Sequence, residues 1–137
     1  MARKDHFTNI MLDLECCSVE AHNPIIIELA AVHFDIDTGD ILGHYRTIIS
    51  FQSCKDHGLV DDGLTMSFLR SEPTLKFTLE ESKESEISLE HALSKFTAFV
   101  EESQQRTLKL LDTRSSPRNY TQPMIWGNGA ASDNVYA

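Results

Sequence analysis

Positive charge is what this chain has least of. Its 12 Lys and Arg stand against 21 Asp and Glu, a formal net charge of −9. A chain this acidic has no broad basic surface on which to hold a nucleic-acid backbone. Any nucleic-acid role must rest on a local site where metal cations offset the carboxylates. Cysteine is scarce as well. Cys16, Cys17 and Cys54 form no CxxC pair, adjacent cysteines rarely bond each other, and all three read as free thiols in a reducing compartment. No apolar run reaches the roughly 18 residues of a membrane span, and the polar stretch Met1 to His6 has no secretory core. The expectation is a soluble intracellular protein, cytoplasmic and without a membrane partner.

What remains is ordinary globular material. The 137 residues suit one domain, and 41% hydrophobic with 24% charged residues allow a real core. Thr8 to Leu14 (TNIMLDL) has the apolar run of a strand buried on both faces, with acid entering at its end. Asn23-Pro24 breaks the chain. Ile25 to Phe34 (IIIELAAVHF) reads as a long strand, Asp37-Thr38-Gly39-Asp40 as a turn with Gly39 free to take positive φ, and Ile41 to Phe51 as the return strand. The first fifty residues are therefore expected to form a three-stranded antiparallel meander.

Gln52 to Gly63 reads as a polar loop, and Leu64 to Leu69 as a short helix with Thr65 near its start. Ser71 to Glu86 carries no clear pattern, and its EESKESE portion reads as a solvated loop. Ser88 to Ser103 is the clearest helix. Leu89, Ala92, Leu93, Phe96, Phe99 and Val100 form one apolar stripe, with Ser88 as the N-cap. Gln104 to Gln122, polar and containing Pro117, reads as a loop. Pro123 to Trp126 is a short strand, Gly127-Asn128-Gly129 turns the chain, and Ala130 to Ala137 begins a helix. A crossover helix between strands of one sheet gives a parallel neighbour. The fold class is α/β, a mixed sheet with helices packed on it.

Asp13-Leu14-Glu15 places two carboxylates at i and i+2, on one face of an extended strand. Hard cations such as Mg²⁺ and Mn²⁺ prefer such oxygen ligands. Two ions about 3.5–4 Å apart can activate a water and stabilise the leaving oxygen of a phosphodiester. A DxE pair is by itself weak evidence, because acids at strand ends are usually solvated.

Taken in order, IMLDLE, PIIIELAAVHFDIDTGDI and WGNGAASDN are much more specific. Together they resemble the DEDD, or DnaQ-like, superfamily of 3'-5' exonucleases, and more narrowly the Rv2179c-like exoribonuclease group. The resemblance is dense over residues 8–51 and 123–135 and thin between them. It implies an RNase H-like fold, a two-metal mechanism with Mg²⁺ or Mn²⁺, and stepwise release of nucleoside 5'-monophosphates from the 3' ends of single-stranded RNA or DNA. It places Asp13 as the metal-bridging aspartate and Glu15 as the glutamate that holds one metal and orients the attacking water. Asp133 falls at the second motif's aspartate, Asn128 at a position close to the substrate, and Cys16 where the group usually has a threonine that meets the terminal nucleotide. Related enzymes are often dimeric, so a homodimer is an implied partner.

Three further positions follow from the same reading. Glu28, an acid inside an apolar strand, must find a partner or reach water, and a hydrogen bond across the sheet is expected. Trp126 is expected in the core. Phe68, in MSFL, falls where the related group places aromatics against substrate.

The group's third motif, a histidine followed by an aspartate on a later helix, supplies a general base and the last metal ligand. His6, His22, His33, His44, His57 and His91 lack that context. The single domain, residues 1–137, is therefore expected to be an RNase H-like exonuclease domain incomplete at its C-terminus, with a complementing chain as a less economical explanation. Three readings compete: a metal-dependent 3'-5' exonuclease, a non-catalytic member that binds nucleic-acid ends, and a plain α/β interaction domain whose acids are only solvated.

Overall fold

A computed structural model of the chain describes residues 7–114 and 120–127. Its elements run β1 (Phe7–Cys16), β2 (Ile26–Phe34), β3 (Ile41–Ile48), α1 (Phe51–Asp56), α2 (Gly63–Ser71), α3 (Pro73–Glu84), α4 (Leu89–Arg114) and β4 (Gln122–Gly127). The four strands form one sheet in the order β3-β2-β1-β4. The β1–β2 and β2–β3 pairs are antiparallel, and β4 returns parallel to β1. This mixed sheet, with a meander followed by a helical crossover to a parallel strand, is the RNase H-like arrangement expected from the sequence.

The meander forms where the apolar runs lie, and its turn is built as the sequence requires. The Asp35 carboxylate accepts from the Asp37 and Thr38 N–H groups at 2.8 and 3.2 Å. Gly39 takes φ +78° and donates to the Asp35 carbonyl at 2.7 Å. A Cβ at Gly39 would meet no heavy atom within 4 Å, so its substitution tests backbone strain alone. Gly39→Ala is expected to cost about 1 kcal/mol, because the left-handed region penalises any residue carrying a Cβ. The midpoint of urea unfolding measures it.

From Ile10 onward β1 alternates instead of being buried on both faces. Ile10, Leu12 and Leu14 are buried, while Met11 and Asp13 are exposed and Glu15 is half-buried. The buried row joins Ile27, Leu29 and Ala31 of β2 in the core, with Met66, Leu69, Leu79, Ala92 and Phe99 from the helices. Hence α4 covers the inner face: Tyr45 stacks on Phe99 with ring centroids 6.1 Å apart, and its hydroxyl donates to the Ala92 carbonyl.

The helical region departs from the sequence reading in three places. Residues 52–56 of the expected polar loop belong to α1, whose N-cap is Ser50, and the supposed solvated stretch EESKE is the last part of α3. Residues 104–114, expected in a loop, continue α4 without a break. In α3 and α4 the helix places polar side chains at buried positions. Ser82 donates to the Ile49 carbonyl from a fully buried position. Ser103, also fully buried, accepts from Arg106. A purely apolar stripe is therefore missing. The N-cap of α4 is Ser88 as expected, its hydroxyl oxygen accepting from the His91 N–H at 3.0 Å.

None of the three cysteines is in a disulfide among the described residues, and Cys17 and Cys54 are buried. Burial pushes the Cys17 thiol up to about 12 and raises Cys54 as well, so both stay protonated and inert. Among the described residues no helix is long and apolar enough to cross a membrane.

Candidate metal and RNA site

The outer face of the sheet carries the two carboxylates first singled out. Asp13 lies opposite Ala30 of β2, and Glu15 lies opposite Glu28. Residues directly opposite on an antiparallel pair share a face, with Cβ atoms about 4.5–5.5 Å apart. Asp13, Glu15 and Glu28 therefore form an acidic corner at the C-terminal end of β1. Asp13 is exposed there. Immediately after Glu15 the register shifts, Cys16 lying opposite Ile26 and leaving Ile27 of β2 as the extra residue. Bulges bend a strand and re-aim its side chains, and they recur beside active sites. Here the chain turns inward, so that Cys16 packs half-buried against the core and Cys17 is fully buried.

Glu28 has the cross-sheet partner its sequence position called for. The Arg46 Nε on β3 donates to its Oε2. The Arg46 side chain is 54% exposed and that of Glu28 only 16%. An ion pair this exposed adds little stability. Its electrostatic consequence is local, since the guanidinium neutralises the carboxylate that directly faces Glu15 and lowers the cost of packing acids together.

The donor chemistry fits a hard divalent cation. Two carboxylates share one face at a strand end, and the Cys17 and Cys54 thiols are buried in the core. Among the described residues, no group of three or more His, Cys, Asp and Glu side chains is placed to hold a metal. Asp133 and Asn128, expected to complete the site, lie outside the described residues, as does the helix expected from Ala130 to Ala137.

Phe68 stands 61% exposed on α2, one turn beyond Leu64 at 88%, while Met66 and Leu69 of the same helix are buried. Its ring is thus open to solvent. Trp126 is not a core residue. It lies opposite Met11 on the outer face, is 42% exposed, and its indole N–H donates to the Asn9 side-chain oxygen at 3.1 Å. A cavity of about 40 Å³ lined by Asn9, His33, Asp35 and Leu111 lies toward the other end of β1 and has no part in the carboxylate corner.

The chain also matches the model of the Rv2179c-like 3'-5' exoribonuclease domain, over residues 8–136. It belongs to that family. A comparison with curated proteins gives no match. The acidic corner sits just beyond Leu12 and Gly127, the last paired residues of β1 and β4. Two structural partners were missed from sequence: Arg46, which pairs with Glu28, and Asp62, the N-cap of α2. Arg46 could have been found from alternation along β3, which puts it on the outer face. Asp62 could have been found from the spacing Asp62-Gly63-Leu64-Thr65, a helix N-cap signal.

Proposed function

We propose that Asp13 and Glu15 are the carboxylate half of a metal-dependent centre that hydrolyses RNA stepwise from its 3' end. The observation that carries this reading is the outward-facing i, i+2 carboxylate pair at the end of the central strand of an Rv2179c-like domain. Its products would be nucleoside 5'-monophosphates. Asp13 would bridge the ions through its carboxylate, Glu15 would hold one of them and orient water, and Asp133 would complete the set. Mg²⁺ or Mn²⁺ bound there supplies an activated water and neutralises charge at the scissile phosphate.

The remaining groups act on the substrate. Phe68 offers an exposed ring to the terminal base, and stacking of this kind tolerates any sequence. The half-exposed part of Cys16 and the Asn128 side chain would meet the terminal nucleotide. With a net charge of −9, single-stranded RNA would engage through the cations and the base rather than along a basic groove.

The test incubates the purified chain with end-labelled single-stranded RNA, and separately DNA, in Mn²⁺ or EDTA. The expected result is shortening of RNA from the 3' end, abolished by EDTA and by Asp13→Ala. Binding of RNA without shortening would replace this reading by the non-catalytic one. Shortening that survives Asp13→Ala would remove Asp13 from the centre.

A further inference from the structure

The loop that leaves the carboxylate corner is tied down at one residue. After Glu15 and the register shift, the chain runs through Cys17, Ser18 and Val19 before entering β2. Asp62, the N-cap of α2, receives this loop from several directions. Its carboxylate lies within reach of the Ser18 hydroxyl and the Val19 N–H, which favour its charged form. Its own N–H donates to the Cys17 carbonyl at 3.0 Å. The same carboxylate accepts from the Thr65 N–H at 2.7 Å and the Thr65 hydroxyl at 3.0 Å. Around this point the segment before α2 is laced to the loop. Ile25 N–H donates to the Val60 carbonyl, Val60 N–H to the Asn23 carbonyl, and the Asn23 amide to the Gly58 carbonyl.

Ser18 is only 4% exposed, and its oxygen also accepts from the Ala21 N–H at 3.1 Å, so the hydroxyl both shapes the loop and fastens it to Asp62. One carboxylate thus joins the strand end that carries Glu15 to the helix that carries Phe68. Several charge-assisted hydrogen bonds converging on a single anion are individually strong and geometrically restrictive.

We infer that Asp62 is a positioning residue, with Ser18 as its partner: it fixes the Cys17–Val19 loop against α2 and so sets Glu15 and Phe68 at a constant separation. This rests on the reading of Asp13 and Glu15 as metal ligands. Asp62 does not itself touch metal or substrate. Without it the loop moves, the carboxylate pair loses its fixed geometry, and cation affinity falls. The ordered loop holds the Asp62 carboxyl below its usual range through the Ser18 hydroxyl first and the Thr65 N–H next.

The full chain carrying Asp62→Ala, Asp62→Asn or Ser18→Ala tests this by hydrogen exchange and by Mn²⁺ titration calorimetry, with RNA shortening as a third readout. Ser18→Ala leaves the bonds from Asp62 to Thr65 in place and so separates the loop anchor from the helix cap. The expected result for Asp62→Ala and Ser18→Ala is about tenfold faster exchange at the Val19 and Ala21 amides and roughly tenfold weaker Mn²⁺ binding, the usual effect of losing a group that orients a ligand. Asp62→Asn, which keeps one acceptor oxygen, should fall between. Faster exchange with unchanged Mn²⁺ affinity would overturn the inference and leave Asp62 a helix cap. Unchanged exchange would overturn it too. A wild-type chain that binds Mn²⁺, loses affinity in these variants and yet leaves RNA intact would remove the exonuclease reading while upholding the positioning role.

Discussion

Asp13→Asn is expected to reduce metal-dependent RNA shortening by about 100-fold or more, with the fold intact. The substitution keeps the shape of the side chain and replaces an anionic oxygen by a neutral amide. Loss of a group in the outer shell of a metal site already costs roughly 10–100-fold, and a direct ligand shared between cations should cost more. Asp13 is exposed on the outer face of β1, so the core row of Ile10, Leu12 and Leu14 is untouched. Substitutions at exposed positions usually stay within about 0.5 kcal/mol. In EDTA the sign should favour the variant slightly, because Asp13 and Glu15 share one face at the strand end and one of the two charges is removed. Functional sites commonly trade stability for chemistry in this way. The measurement is a pair of Mn²⁺ titrations of the shortening rate, with urea unfolding of both chains in EDTA. Wild-type rates in the Asn variant would show that Asp13 is not a ligand.

Much of this site is legible in the amino-acid sequence alone. The i, i+2 spacing of Asp13 and Glu15 fixes their common face once β1 is a strand, and the apolar run around them makes it one. The hairpin is legible because Gly39 alone can take the left-handed turn without strain. The hidden part lies where polar residues do the packing. Residues 104–114 of α4 look like a loop because Gln104, Gln105, Arg106 and Lys109 interrupt the apolar stripe. Yet Gln104 donates to the Thr121 carbonyl, and Arg106 and Thr107 meet the imidazole of His33. Helix α3 hides in the same manner behind Thr78 and Ser82, both on its buried face. The junction of Ser18 with Asp62 is invisible for another reason: the partners lie on different segments, and only the tertiary fold brings them together.

That polar layer under the sheet leads to the second large effect. Lowering the pH from 7.5 to 5 should destabilise the chain by about 2 kcal/mol through His33 alone. His33 is 1% exposed on the inner face of β2. Its Nδ1 accepts from the Arg106 Nε at 3.3 Å, and its Nε2 lies 3.1 Å from the Thr107 hydroxyl oxygen. Arginine can only donate, so Nδ1 must be the unprotonated nitrogen and Nε2 carries the hydrogen. The Thr107 hydroxyl donates onward to the Ser103 carbonyl at 3.1 Å, and the Thr8 hydroxyl lies within 3.2 Å of it. A second proton has only Nδ1 to occupy, against the guanidinium. Burial first and Arg106 second bring His33 down to about 4 from 6.5, with Asp35 opposing weakly.

The unfolded chain therefore takes up this proton near pH 6.5 and the folded chain only near pH 4. The stabilising contribution is complete above pH 6.5 and is lost as the pH falls from there to about 4. Carboxylates on the surface also titrate toward the bottom of this range, so total stability is not a clean reading of one imidazole. Two measurements isolate it. The ¹⁵N resonances of His33 should hold the Nε2–H pattern down to about pH 5, whereas an accessible imidazole would titrate near 6.5. Urea unfolding of His33→Gln should lose most of the slope between pH 7.5 and 5. An imidazole that titrates near 6.5 in the folded chain, or a slope unchanged in the variant, would mean that α4 is not fastened to the sheet through a neutral histidine. The expected outcome ties the long helix, and with it the inner support of the strand bearing Asp13 and Glu15, to neutral or alkaline conditions, where carboxylates also bind divalent cations without competition from protons.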